Sequence, residues 1–134
     1  MEQTVPRKYE RFVIRNPKEI TDYKFHPLLQ EPWRIYMSRE LVAESNVFAD
    51  LAWRTEMPRP NPVCDVHAHP SPQLHMFVGA AGSFEVEFLL DDEWHLLDRT
   101  AMIWIPAGLK HQVRYRRVDG PMVESAILLQ AVYE

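Results

Sequence analysis

His67-Ala68-His69-Pro70-Ser71-Pro72-Gln73 and, further along, Pro106-Ala107-Gly108-Leu109-Lys110-His111 decide how this chain is read. Side chains alternate faces along an extended strand, so His67 and His69 point the same way, as two ligands of one ion must. One such pair is weak evidence, because paired histidines also stand on solvated strands. The second stretch strengthens it. Ala101 to Ile105 is a wholly apolar run; Pro106 then fixes its own φ and Gly108 permits a positive one, so the chain can turn sharply and begin a new strand at His111. That turn would bring His111 to the end of a neighbouring strand and three imidazoles to one point. A metal site is expected there.

The chain has 134 residues, which suits one domain with a real core. Apolar residues make up 46%, with 11 prolines at loop-like positions, a composition that suits a compact all-β protein. The formal charge is −4 and no basic stripe is visible, so nucleic acid is not an expected partner. Cys64 is alone and cannot form an internal disulfide, and the first residues lack a signal-peptide pattern; a cytoplasmic protein is the expectation. Apolar runs such as Ala101 to Ile105 and Ala126 to Leu129 are far too short to span a membrane, so no membrane partner is expected.

Residues 1–32 read as an extended arm, since Asn16-Pro17 and His26-Pro27 disfavour helix at the preceding residue. Phe12, Ile14 and Phe25 are expected to pack it on a single domain of residues 33–134. From Trp33 the chain becomes a series of short β-like runs. They are Trp33 to Met37, Val47 to Met57, Cys64 to His69, Leu74 to Val78, Ser83 to Leu90, Glu93 to Leu97, Ala101 to Ile105, Gln112 to Val118 and Met122 to Val132. Asp91-Asp92 and Asp119-Gly120 each predict a tight hairpin. Arg39 to Ala43, with Ser38 as a cap, is the one helical possibility after the arm. This spacing of strands belongs to a sandwich or barrel.

Over roughly Asn61 to Tyr115 the residues resemble the cupins, small jelly-roll barrels with an HxH pair plus an acid in one motif and a PxGxxH turn in the other. The resemblance implies an all-β, cupin-type jelly-roll β-barrel with an N-terminal arm, in which His67, His69 and His111 hold one divalent transition metal. Gln73 falls where the family's acid stands and is the fourth expected ligand. Asn61, Ala80, Thr100 and Tyr115 depart from the motif residues at other positions, Gly79 standing beside Ala80. An amide oxygen neutralises no charge, so a three-histidine, one-glutamine site leaves the ion more electrophilic than the usual set. The local pattern His-x-His-Pro-x-x-Gln is similar to that of manganese-dependent hydroxynitrile lyases within the cupin superfamily. The alternative for Gln73 is a hydrogen bond in the barrel wall.

His75 shares strand parity with Gln73 and so could enter the same cavity, as a fourth imidazole, a supporting partner, a proton shuttle or a packed residue beside Phe77. As the titratable group near the motif with a suitable ordinary pKa, it is the candidate catalytic base. Trp53, Phe77, Trp104 and Tyr115 could line an apolar pocket around the ion, or simply be core. Glu85 and Glu87 read as solvent-facing, Cys64 as a small buried residue, His95 as exposed, and His26 carries no assigned chemistry.

A neutral ligand set suits manganese, iron, zinc or nickel and does not choose among them. The resemblance and the ligand set together imply a metal-dependent protein acting on a small oxygenated organic substrate by Lewis-acid lyase or isomerase chemistry. An iron-dependent dioxygenase and a non-catalytic metal- or metabolite-binding cupin are the alternatives. A homodimer is expected from the family.

Overall fold

A computed structural model describes residues 7–27 and 32–134. Ten strands form two antiparallel sheets. They are β1 (Lys18–Ile20), β2 (Trp33–Met37), β3 (Phe48–Asp50), β4 (Ala52–Arg54), β5 (Gln73–Gly79), β6 (Phe84–Leu90), β7 (Glu93–Leu97), β8 (Ala101–Ile105), β9 (His111–Val118) and β10 (Met122–Leu128). The larger sheet has seven strands, in the order β1-β2-β3-β10-β5-β8 with β4 also paired to β10; the smaller runs β7-β6-β9. The described residues contain no α-helix, only a 3-10 turn at Glu10–Phe12. None of their helices is long and apolar enough to cross a membrane.

Period-2 alternation explains why the two sheets face each other. Along β6, Phe84, Val86 and Phe88 are buried while Glu85 and Glu87 are turned the other way, paired with Arg114, Arg116 and Arg117 of β9. On β5 the buried phase is Gln73, His75 and Phe77, and on β10 it includes Met122, Glu124, Ala126 and Leu128. Phe77, Phe84 and Phe88 pack at the centre, supported by Ile35, Ile105 and Val113. Polar residues therefore share the inward phase with the core at one end of the barrel, and the candidate site is built there.

The boundaries of several expected elements shift. Val47 to Met57 divides into β3 and β4, with the Leu51 N–H donating to Arg34 O at 3.2 Å between them. Cys64 to His69 is not a strand, because only His67 bridges a partner there, His111. The last strand ends at Leu128 rather than Val132, and Tyr133 returns to pack on the core. Asp91-Asp92 does close the β6–β7 hairpin, Asp91 taking the left-handed φ of 56° that an aspartate tolerates. Asp119-Gly120 closes no hairpin: β9 belongs to the smaller sheet and β10 to the larger, so this corner carries the chain from one to the other. Ser38 starts a single turn, accepting from the N–H groups of Leu41 and Val42, with no helix after it.

The stretch before Pro32 contributes a strand, β1, which the arm reading did not include; it pairs antiparallel to β2. Of the expected packing residues, Phe12 is exposed and Ile14 half-buried, while Phe25 does pack on the domain, stacked on His67; the buried anchors are two neighbours of Phe25. Tyr23 is buried against Trp33, Phe48 and Tyr133, and His26 is buried beside it.

Candidate metal centre

His67 and His111 approach through a two-way main-chain bridge, the His67 N–H donating to His111 O at 3.1 Å and the His111 N–H to His67 O at 2.8 Å. Gly108, at φ 80°, turns the chain so that its N–H reaches His69 O at 2.8 Å. The Pro106–Gly108 turn thus clamps the HxH segment against the start of β9. One nitrogen of each of His67, His69 and His111 lies within 4.8 Å of the other two, and all three side chains are buried.

Their hydrogen bonds select a tautomer. His67 Nδ1 lies 2.6 Å from Asp65 O, His111 Nδ1 lies 3.0 Å from Leu109 O, and His69 Nδ1 bonds the main-chain oxygen of Glu134. A carbonyl only accepts, so each Nδ1 carries the proton and each Nε2 keeps its lone pair, the arrangement that orients metal-ligating histidines. Burial lowers all three pKa values, His67 to about 3 and His111 to about 4. The imidazoles are therefore neutral at ordinary pH, as ligands must be.

Gln73 occupies the first position of β5 and is buried. Its Nε2 lies 2.9 Å from His75 Nδ1, and His75 Nε2 lies 2.8 Å from Glu124 Oε2. Glu124 can only accept, so His75 donates from Nε2 and presents a lone pair at Nδ1, which the Gln73 amide nitrogen serves. That bond commits the nitrogen of Gln73 and leaves its oxygen for the cavity. Gln73 Oε1 and His111 Nε2 are both buried without a hydrogen-bond partner among the described residues. Two orphaned acceptors lining one cavity with two further imidazoles fit a divalent cation, which would satisfy them all.

Behind His75 stands a network that the sequence reading missed. Glu124 Oε1 accepts from Tyr115 Oη at 2.6 Å and from Arg54 Nη2 at 3.1 Å, and Arg54 Nε donates to Tyr115 Oη at 3.1 Å. Burial alone would raise the Glu124 carboxyl, yet the His75 hydrogen bond and the Arg54 charge outweigh it and hold the group at about 2. Glu124 is thus a buried carboxylate neutralised by Arg54. Its one sequence signal is parity, an acid sharing the inward phase of Met122, Ala126 and Leu128.

The cavity measures about 30 Å³, room for an ion and little more than a water. Val63, Phe88, Val113 and Ala126 supply apolar wall beside the histidines. Two separate segments pack against its histidines. Phe25, at a left-handed φ of 67° unusual for a bulky side chain, stacks on His67 with centroids 4.4 Å apart, and Tyr133 meets His69 edge-on at 5.0 Å. His26, which carried no chemistry in the sequence reading, also lines the cavity. Its Nδ1 lies 2.8 Å from Lys24 O, which leaves an Nε2 lone pair with no partner among the described residues. Burial lowers its pKa, so the ring is neutral.

None of the four aromatic residues read as pocket lining or core lines the cavity. Trp53 and Trp104 are exposed on the outside of the larger sheet, because their strand phase points away from the core. Phe77 and Tyr115 are buried deeper, outside the cavity wall. Cys64 is buried and lines the cavity, its thiol pushed up to about 12 by burial and therefore protonated. His95 is exposed, as expected.

No protein-family model and no curated protein matches the chain. Solved structures do. An RmlC-like cupin from Shewanella frigidimarina superposes with a TM-score of 0.53 at 11% identity, covering 89% of this chain and 87% of its own. A cupin protein from Bacteroides fragilis gives 0.52 at 16% identity, with 86% and 90% covered. The structure of FeII HppE gives 0.56 at 8% identity, covering 84% of this chain and 56% of its own. At such identities the likeness is one of fold.

Proposed function

We propose that this chain, which has the cupin jelly-roll fold, is a divalent-metal-dependent protein whose ion is held by His67, His69, His111 and Gln73. One observation carries the reading: three histidines spend Nδ1 on main-chain carbonyls, one ring nitrogen of each lies within 4.8 Å of the other two, and the unpaired oxygen belongs to Gln73, which lines the same cavity. A divalent ion in this neutral set would act as a Lewis acid on a carbonyl, carboxylate or enolate oxygen, which suits lyase or isomerase chemistry on a small oxygenated organic molecule.

The chain's own residues divide the remaining work. Both nitrogens of His75 are committed, to Gln73 and to Glu124, so it has no lone pair to offer a substrate. In this reading it acts as a positioning residue that holds the Gln73 oxygen toward the ion. The base role expected of His75 passes to His26, the cavity-lining imidazole outside the ligand set with a free Nε2 lone pair and a neutral ring. A substrate larger than a water or two enters by displacing Tyr133 or the Phe25–His26 turn. Val63, Phe88 and Val113 would exclude water from the bound molecule.

The test has two stages. Elemental analysis of protein purified without added metal should give near-stoichiometric metal that is lost in the His67→Ala/His111→Ala variant. A panel of carbonyl and carboxylate compounds should then reveal turnover that His26→Ala abolishes while the bound metal remains. Absence of metal after attempted reconstitution would overturn the proposal. The 30 Å³ cavity favours a second reading, a non-catalytic metal-binding cupin. Stoichiometric metal with ligand binding but no turnover across the panel would support it.

A further inference from the structure

The metal cavity is too small for an organic substrate, and the chamber beside it is not. An open groove of about 280 Å³, lined from β1, β2, β3 and the chain after Leu128, lies near the lower end of the ~300–1,000 Å³ usual for small-molecule sites. Ile20, Ile35, Phe48, Ala131 and Val132 give it apolar walls. Lys18 is paired with Glu40, which leaves Asp22, Lys24 and Arg39 on the lining and one positive charge in excess. Tyr133 lines this groove and the metal cavity alike, and no other described residue does both.

That shared wall is the movable one. The Tyr133 ring rests on Tyr23, Phe48 and His69, with centroids 4.4, 5.4 and 5.0 Å away. After Leu129 no main-chain group bonds another among the described residues, and the bond from His69 Nδ1 to Glu134 O holds the backbone but not the ring. The other walls are fixed. The Phe25–His26 turn is pinned on both sides, the His26 N–H donating to Tyr23 O at 3.0 Å and the Asp65 N–H to Phe25 O at 2.7 Å. Trp33 and Val63 stand between the cavity and a second, polar groove, but both are buried core and Trp33 belongs to β2.

Resting on the metal reading above, we infer that the groove seats the apolar body of an alkyl- or aryl-bearing carboxylic acid, whose carboxylate reaches the ion once the Tyr133 ring turns aside. Three histidines and an amide leave a divalent ion its full charge, so an anionic oxygen group is its complement. The walls suit a hydrocarbon, because seating one there removes apolar surface of both from water. The excess positive charge on the lining favours an acid over an amine. A sugar acid, with a hydroxyl on nearly every carbon, would leave those groups unpaired against Ile20, Ile35 and Val132.

Calorimetric titration of the metal-loaded chain with 3-phenylpropanoate, beside acetate as a carboxylate without a body, tests the inference. Phenylpropanoate should bind at least ~10-fold more tightly than acetate. Ile20→Asn/Val132→Asn, which sets neutral amides against the phenyl ring, should erase most of that difference while acetate binding stays the same. Tyr133→Ala should speed phenylpropanoate association in stopped flow, whereas Tyr133→Phe, which keeps the ring, should not. Equal binding of the two acids, or a phenylpropanoate affinity indifferent to the double variant, would overturn the inference. Should the double variant not fold, magnetisation transfer from the Ile20 and Val132 methyls to the phenyl protons, measured on the unaltered protein, decides instead, and its absence counts against the groove. If the chain takes up no metal, the same measurement on the metal-free protein separates the two failures: with transfer the groove stands and the ion does not, and without it both fall.

Discussion

Glu124 meets the Nε2 of His75 at 2.8 Å from 49 residues along the chain. This contact fixes the tautomer of His75, which in turn fixes which end of the Gln73 amide faces the cavity. An ion held by the three histidines and Gln73 would therefore feel the carboxylate at two removes.

Removing its charge should weaken metal binding while leaving the three histidines in place. Glu124→Gln is expected to lower affinity about 10- to 100-fold, measured by competition with a chelating indicator. Glu87→Gln, on the outer face, should leave affinity unchanged. Equal affinities for Glu124→Gln and the unaltered protein would show that the Gln73 amide is oriented by something else.

Arg54 neutralises Glu124 inside the barrel. Arg54→Met leaves that carboxylate buried without its cation and should cost about 3–5 kcal/mol, read as a lower urea midpoint at unchanged m. Combined with Glu124→Gln, the loss should be smaller than the sum of the two single losses, because the stranded charge is gone. Strict additivity would rule out the coupling.

Acid should destabilise the metal-free protein well above the usual carboxylate range. Burial holds His67 at about 3 and His111 at about 4, below the 6.5 of an unfolded histidine. A folded-state pKa below the unfolded value means that stability is complete above about 6.5 and is lost as pH falls toward 4 and then 3, since the unfolded chain takes up protons first. The slope is about 1.4 kcal/mol per pH unit for each histidine. Glu124, at about 2 against 4.5, adds a loss of the same sign between those values. Urea midpoints that stay level from pH 7 to 4.5 would contradict this.

Two glycines should resist substitution for different reasons. A Cβ on Gly79 would lie 2.9 Å from the Phe84 ring and 3.0 Å from Met122 Cβ, so Gly79→Ala overpacks the core by about 1–3 kcal/mol. Gly108 has open space around it but φ of 80°, and Gly108→Ala should cost roughly 1–2 kcal/mol through the backbone alone. Thermal unfolding beside Gly120→Ala, where φ is ordinary and the nearest atom is 3.4 Å away, provides the comparison.

What the sequence determined by itself was local. Alternation along Ser83 to Leu90 and the turn chemistry of Pro106 and Gly108 are written within a few residues, and they placed His111 beside the HxH pair. The β6–β7 hairpin was legible for the same reason. Asp119-Gly120 was misread because turn residues report a change of direction and not the sheet to which the next strand goes. Trp53 and Trp104 were misplaced because parity orders residues within one strand and cannot say which phase faces the core.

Only the tertiary structure decided the surroundings of the histidines. β10 sets Ala126 opposite His75 and Glu124 opposite Phe77, and that register, across some fifty residues, delivers Glu124 to His75 and Arg54 to Glu124. His26 and Tyr133 line the cavity, and Phe25 stacks on His67, from segments with no periodic signal. Local propensities act through neighbours in the chain, whereas a buried carboxylate and its cation are matched by packing and desolvation, forces that exist only once the sheets have paired.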